Sequence, residues 1–245
     1  MLKAVVFDLG GTLLHYQSAS ADIIELNRRG FVALYRYLAA NGNVSLPEAT
    51  FLSAVETRAM SDWKTSQSSL RGMSVESSLK TAMAELGLPL TNAEWPAARQ
   101  AFFAPIHQAA KLRAGARYTL QALKELGLDL GLLSNTFWPA DLHDADLANL
   151  GLLDLLPMRL YSCNIGWLKP HPAAFHMALN ALKVKPTEAV YVGDRLKVDI
   201  EPARRIGFWG VLIQTPFRLE HSKDIMPDAV ISELPELVKL LERRR

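Results

Sequence analysis

One cysteine, Cys163, is all that the 245 residues contain. No internal disulfide can form, and such sparse use suits a reducing compartment. No apolar stretch approaches the roughly 18 residues that span a bilayer. Asp8 interrupts an amino-terminal apolar run already too short for a secretory signal, so a cytoplasmic protein without a membrane partner is expected. Charge of one sign is also missing: 27 Lys and Arg stand against 25 Asp and Glu, a net charge of +2. No basic field argues for a nucleic-acid partner, and Arg243-Arg244-Arg245 reads as a solvated tail. No internal repeat or low-complexity segment is evident. What remains is 49% hydrophobic and 21% charged. That composition fits one α/β domain, or a core with a smaller second domain.

Two textures alternate along the chain. Residues 1–16 and about 111–245 carry short apolar runs: Ala4–Phe7, Leu128–Leu133, Met158–Tyr161, Ala189–Val192, Val211–Ile213 and Ala229–Ile231. Helix-like pieces lie between them: Tyr118–Leu126, Pro172–Leu182, Ile200–Ile206 and Leu234–Leu241. This alternation predicts a doubly wound parallel α/β sheet covered on both faces. Right-handed crossovers then place every strand's carboxyl end on one rim. Residues 17–110 lack a convincing strand but carry helix signals. Ser45-Leu46-Pro47-Glu48 and Thr91-Asn92-Ala93-Glu94 fit capping boxes. Val75, Leu79, Met83 and Leu86 share one stripe, and Gly87 offers a stop. The expected organisation is a core of residues 1–16 and 111–245 with an all-helical cap, residues 17–110, inserted after the first strand.

The first run ends on Asp8 and breaks at Gly10-Gly11, where the backbone can turn sharply. Three more polar positions share that address just past a strand. They are Ser134 in Leu-Leu-Ser-Asn-Thr, Lys169 in Gly-Trp-Leu-Lys-Pro, and Asp194 in Val-Gly-Asp, with Asp199 close behind. In a parallel sheet they converge on the rim where open α/β sheets place ligand chemistry. A lysine and a hydroxyl can hold an anion, while Asp8 and Asp194 can hold a hard cation. Taken singly, each has an ordinary reading. Ser134-Asn135-Thr136 fits a turn, and Asp199 fits an N-cap for Ile200–Ile206. Asp194 is more pointed, because a bare carboxylate ending an apolar strand is costly unless metal or hydrogen bonds hold it.

In order, AVVFDLGGTLL, LLSNT, LKP and VYVGDRLKVD resemble the four motifs of the haloacid dehalogenase-like superfamily. The helical stretch sits where that family inserts its first-position cap. The resemblance implies Asp8 as a nucleophile toward phosphorus, forming an aspartyl-phosphate. It implies Ser134 and Lys169 as a phosphate clamp, with Gly11 and Asn135 also on the phosphate. It implies a Mg²⁺ site from Asp8, Gly10, Asp194 and Asp199. The implied substrate is a small phosphorylated metabolite, and the implied assembly a monomer or homodimer. Charge considerations agree: a carboxylate attacking a phosphate dianion meets repulsion that Mg²⁺ and lysine offset.

The chain departs from that pattern at Gly10, where family phosphatases usually carry a second aspartate. That residue's carbonyl binds the metal, and its side chain protonates the leaving oxygen and then activates water. Glycine keeps the first job and loses the second, typically worth about 10²–10⁴ in rate. One reading keeps a phosphatase with another acid/base, for which His15, Glu56 and Asp62 are candidates; His15 also reads as a surface or hinge residue. A second reading gives the substrate a good leaving group, as in an acyl phosphate. A third is a 2-haloacid dehalogenase, whose family members also lack this aspartate, although they need no metal and generally have tyrosine there. A fourth is a non-catalytic or slow-turnover domain that binds phosphate or a partner. A mutase fits less well, because it too benefits from the missing acid. The expectation is a Mg²⁺-dependent phosphohydrolase.

Substrate choice should come from residues 17–110 closing over the rim and excluding water. Arg58, Trp63, Lys64 and Arg71 are its conspicuous polar and aromatic residues. Ser61 to Ser69 reads as a hydroxyl-rich loop over the site. Trp138 and Trp167, flanking Ser134 and Lys169, either wall the pocket or pack against the core.

Overall fold

The computed structural model describes residues 1–16, 23–215 and 222–244. Strand β1 (Ala4–Phe7) is buried throughout. Its side chains alternate between two cores: Val5 and Phe7 join one apolar cluster, Ala4 and Val6 another. An apolar run with no polar alternation is what a strand covered on both faces requires. Strand β2 (Leu14–His15) then pairs antiparallel with β3 (Lys111–Leu112), Leu14 opposite Leu112. Two residues per strand leave no periodicity for a sequence to display. Between β2 and β3 the described chain is helical, with α1 (Ile23–Ala40), α2 (Glu48–Ser69), α3 (Val75–Glu85) and α4 (Trp95–Ala109). Helix α1 packs on α4, with Phe31 and Phe102 rings 5.2 Å apart, and α2 packs on α3.

After β3 come α5 (Ala116–Glu125), β4 (Asp129–Ser134), α6 (Ala140–Asn149), β5 (Met158–Tyr161), α7 (Ser162–Ile165), α8 (Pro172–Leu182) and β6 (Ala189–Gly193). The chain finishes with α9 (Glu201–Ile206), β7 (Trp209–Ile213), β8 (Ala229–Ile231) and α10 (Pro235–Glu242). Six parallel strands stand in the order β5-β4-β1-β6-β7-β8. Strand β1 has β4 on one side and β6 on the other, so the order reverses at β1. Open α/β sheets bind ligands outside the carboxyl ends of strands at such a switch point. Asp8, Ser134 and Asp194 lie at the ends of these three strands. Among the described residues, no helix is long and apolar enough to cross a membrane.

The strands and helices expected around the sheet begin and end within two residues of those observed. Other expectations need correction. The Ser45 box does not form; Pro47, extended at φ −61°, is the N-cap of α2 and makes no side-chain cap bond. A helix starting after Ser45 would need Leu46 helical, which the following proline disfavours. At the second box the reciprocal bonds exist, Thr91 N–H to Glu94 at 2.8 Å and Glu94 N–H to Thr91 Oγ1 at 3.3 Å. A turn intervenes there, and α4 begins at Trp95. Ser61 to Ser69 is no loop but the second half of α2. Its Thr65, Ser68 and Ser69 hydroxyls donate back to the carbonyls of Ser61 and Thr65, a local bond that lets these residues sit in a helix. Asp199 is not an N-cap; it lies within a π-helical turn, Leu196–Ile200, that leads into α9. Arg243 and Arg244 are exposed, as a solvated tail is, and the Arg244 guanidinium lies 4.2 Å from the Trp209 ring centre. Arg245 and the start of the inserted segment, residues 17–22, lie outside the described residues.

Candidate active site

Asp8 follows β1 directly, and its N–H donates to Val192 O of β6 at 2.9 Å. The chain then turns tightly, with the N–H groups of Thr12, Leu13 and Leu14 all directed at Leu9 O. Lys169 Nζ reaches Asp8 Oδ1 at 2.6 Å, Asp199 Oδ1 at 2.7 Å and Tyr191 Oη at 2.8 Å. An ammonium has three donors, and all three are used. Burial acts to lower the Lys169 pKa, but the Asp199 and Asp8 carboxylates outweigh it and leave it raised. The group therefore stays charged. Among the described residues, Asp8 Oδ2 accepts only a long bond from Thr12 Oγ1, 3.3 Å. Asp199 accepts from Lys169 on Oδ1 and from the Arg195 N–H on Oδ2, 3.1 Å.

Asp8, Asp194 and Asp199 are buried, and one oxygen from each lies within 4.8 Å of the others. Gly11 makes the approach possible. Its φ is +90°, and a Cβ there would stand 2.4 Å from Asp194 Oδ2. Its N–H donates to Leu14 O at 2.8 Å. Gly10 is the opposite case: it is exposed, and a Cβ added to it meets nothing within 4 Å.

Ser134 ends β4, buried, and among the described residues no side chain or backbone group engages its hydroxyl. Asn135, also expected on the phosphate, bonds the Lys169 main chain. Its Nδ2 donates to Lys169 O and its Oδ1 accepts from Lys169 N–H, both at 2.7 Å. It holds the lysine's main chain.

Two residues of the site escaped the sequence reading. Tyr191 is wholly buried in β6; burial, then the Asp199 and Asp8 charges, push its pKa far up, so it stays a phenol. Its Oη donates to Leu133 O at 3.1 Å while accepting from Lys169. A tyrosine inside an otherwise aliphatic run was the available signal. Arg113, just past β3, is buried and donates to the carbonyls of Gly11, Gln214 and Ser232. Burial lowers its pKa, opposed by Asp194 and Glu233. It pins the Gly10-Gly11 turn to the chain beyond β7 and β8, a contact that no local pattern encodes.

Two of the candidate replacements for the absent acid, Asp62 and Glu56, face partners within helices α1 to α3. Asp62 accepts from Arg58 at 2.9 Å and from Ser78 at 2.6 Å, and Glu56 faces Arg28 at 3.8 Å. His15 pairs with Lys111 across the two-stranded ribbon, and burial, then Arg113, lower its pKa. Trp63 lies against Phe137, ring centres 5.4 Å apart, while Lys64 has no ion-pair partner among the described residues. Trp138 is buried, donates to Asn27 Oδ1 at 2.8 Å and packs on Tyr16. Trp167 takes the Arg71 guanidinium on its ring.

A cluster of three buried carboxylates around one lysine thus stands at the switch point of a parallel sheet. The chain belongs to the haloacid dehalogenase-like hydrolase family, whose model matches residues 2–207. It is 37% identical over 137 residues to the glyceraldehyde 3-phosphate phosphatase of Pyrococcus furiosus, covering 53% of this chain and 54% of the relative. The chain thus spans about half the length of the first curated relatives it matches. A validoxylamine A 7'-phosphate phosphatase of Streptomyces hygroscopicus subsp. limoneus is 26% identical over 97% of this chain and 96% of its own. Among solved structures, a 2-haloacid dehalogenase from Pseudomonas syringae pv. Tomato superposes with a TM-score of 0.74 at 25% identity, covering 100% of both chains.

Proposed function

We propose that this protein is a metal-dependent phosphohydrolase that acts on a small phosphorylated metabolite through an aspartyl-phosphate at Asp8. One observation carries the reading: Lys169 and Asp8 form a buried pair inside a cluster of three carboxylates. The donor set fits a hard divalent cation such as Mg²⁺. Three buried carboxylates surround one ammonium, all with oxygen donors, and an uncompensated buried charge is costly. Asp8, Asp194 and the Gly10 carbonyl would hold the ion, which would neutralise charge on an incoming phosphoryl group. Both oxygens of Asp199 already serve protein donors, which suits it to orienting Lys169.

The chain's own groups then divide the work. Asp8 forms a bond to phosphorus as the bond to the leaving oxygen breaks, and that oxygen takes a proton from solvent. Lys169 keeps Asp8 ionised and oriented, its charge offsets that of the phosphoryl group, and the Ser134 hydroxyl receives a phosphoryl oxygen. Water then attacks phosphorus, releasing phosphate and restoring the carboxylate. With Gly10 offering no proton, substrates with good leaving groups are favoured. The helices between β2 and β3 serve as the cap. Relatives named as phosphatases, one of them matched over nearly its full length, support this reading.

The likeness to a 2-haloacid dehalogenase over the full chain favours a second reading, displacement of halide by Asp8. One assay separates them. The purified protein is offered p-nitrophenyl phosphate, acetyl phosphate, sugar phosphates and 2-haloacids, with Mg²⁺ or with chelator, beside Asp8→Asn. Metal-dependent phosphate release that Asp8→Asn abolishes supports the phosphohydrolase. Halide release that persists in chelator selects the dehalogenase, and silence on every substrate favours a binding domain.

A further inference from the structure

The loop that brings Lys169 to Asp8 is clamped on two sides. On the sheet side, Asn135 holds the Lys169 main chain, and Ser162 Oγ accepts from Thr136 N–H at 2.9 Å and donates to Thr136 O at 3.1 Å. On the other side stands the turn between α2 and α3. Leu168 N–H donates to Leu70 O at 2.9 Å and Gly72 N–H donates to Gly166 O at 3.2 Å. Arg71 and Trp167 thereby form an antiparallel bridge. The Arg71 guanidinium lies 3.7 Å from the Trp167 ring centre, and that ring stacks on His171 at 3.8 Å. A cation over an indole face is favoured by the ring's quadrupole.

The turn is shaped for this contact. Leu70 ends α2 in the left-handed conformation, φ 54°, and Ser66 Oγ donates to Arg71 O. A Cβ on Gly72 would stand 1.7 Å from Ser162 O. Arg71, although exposed, makes no ion pair with any described carboxylate; its charge is committed to Trp167. Two backbone bonds, a stacked cation and a glycine with no spare room amount to a splint along residues 166–168, immediately before the lysine.

We propose that Arg71 and Gly72 are positioning residues for Lys169: the inserted helical segment splints the lysine loop and sets the reach of its ammonium to Asp8. This rests on the phosphohydrolase reading. The segment then does more than cover the site, because Lys169 is in register only while the α2–α3 turn is docked.

The test uses the full chain as Arg71→Ala, Arg71→Lys and Gly72→Ala, with p-nitrophenyl phosphate kinetics and amide hydrogen exchange. In Arg71→Ala and Gly72→Ala, Leu168 N–H should exchange about tenfold faster or more, while Val5 and Val190 in the sheet keep their protection. The kcat should fall by about tenfold or more with KM little changed, the mark of a displaced catalytic group. Arg71→Lys, which retains a cation for the ring, should recover most of both. Unchanged Leu168 exchange, or unchanged kcat in an active enzyme, would overturn the proposal alone. A wild-type protein inactive on every phosphate ester would sink the phosphohydrolase reading and the positioning role with it.

Discussion

The ammonium of Lys169 lies 2.6 Å from Oδ1 of Asp8, with the two side chains only 1% and 10% exposed. A charge pair so enclosed is held as much by the cost of separating it as by its own attraction. Removing the lysine strands Asp8 and Asp199 together without their cation. Lys169→Met should therefore abolish turnover and lower stability by about 3–5 kcal/mol in urea melts. Adding Asp8→Asn to it should restore part of that loss, because the two sites are coupled. Additive losses in the double variant would show that the pair is not coupled.

Gly10 has room for a side chain. Gly10→Asp should fold normally and speed turnover of alkyl phosphates, up to the roughly 10²–10⁴ that general acid–base help supplies. Acetyl phosphate, whose leaving group needs no proton, should gain less. Parallel kinetics on the two substrates check this; equal gains would mean that the new carboxylate does not act as the acid.

Tyr191 offers a cleaner probe of the lysine than the lysine itself. Tyr191→Phe keeps the ring against Phe175 and Phe208 but removes one acceptor from Lys169 and one donor from Leu133 O. Leaving buried polar groups without a partner costs about 1–3 kcal/mol. The expected result is a stability loss of that order with turnover reduced but not abolished. A variant as stable as the parent would mean that the hydroxyl contributes nothing.

His143 carries a pH dependence of stability. It lies buried between Tyr16 Oη and Thr136 Oγ1, and burial, opposed by Asp144, holds its pKa near about 3. The unfolded chain protonates this histidine below its ordinary 6.5, whereas the folded chain does not until about 3. Stability from this group is thus full above pH 6.5 and lost as pH falls toward 3, by about 1.4 kcal/mol per unit within the window. Burial raises the pKa of neighbouring Asp146, which works in the opposite direction. Urea melts of the parent and His143→Asn across pH 4 to 7 separate the two, since only the parent carries the histidine's share of the slope.

Much of this was legible in the chain, and the illegible parts share a cause. Ala4–Phe7 and Ala189–Val192 read directly as strands because burial on both faces demands unbroken apolar runs. Asp8, Lys169, Asp194 and Asp199 could be placed on one rim because a parallel sheet fixes where its strands end. The two-residue strands at Leu14 and Lys111 carry no period to detect. The partners of Asn135, Tyr191 and Arg113 lie far away in sequence, so their bonds appear only in three dimensions. Ser61 to Ser69 misled because hydroxyls that suit a loop also bond to helix carbonyls.

The most direct test is to trap the group on Asp8. The protein is mixed with acetyl phosphate and Mg²⁺, quenched in acid, reduced with borohydride and digested for peptide mass spectrometry. Reduction of an acyl phosphate converts its aspartate to homoserine. Homoserine is expected at position 8, absent without substrate and absent in Asp8→Asn. Phosphate released with position 8 unmodified, or a modified residue elsewhere, would contradict it.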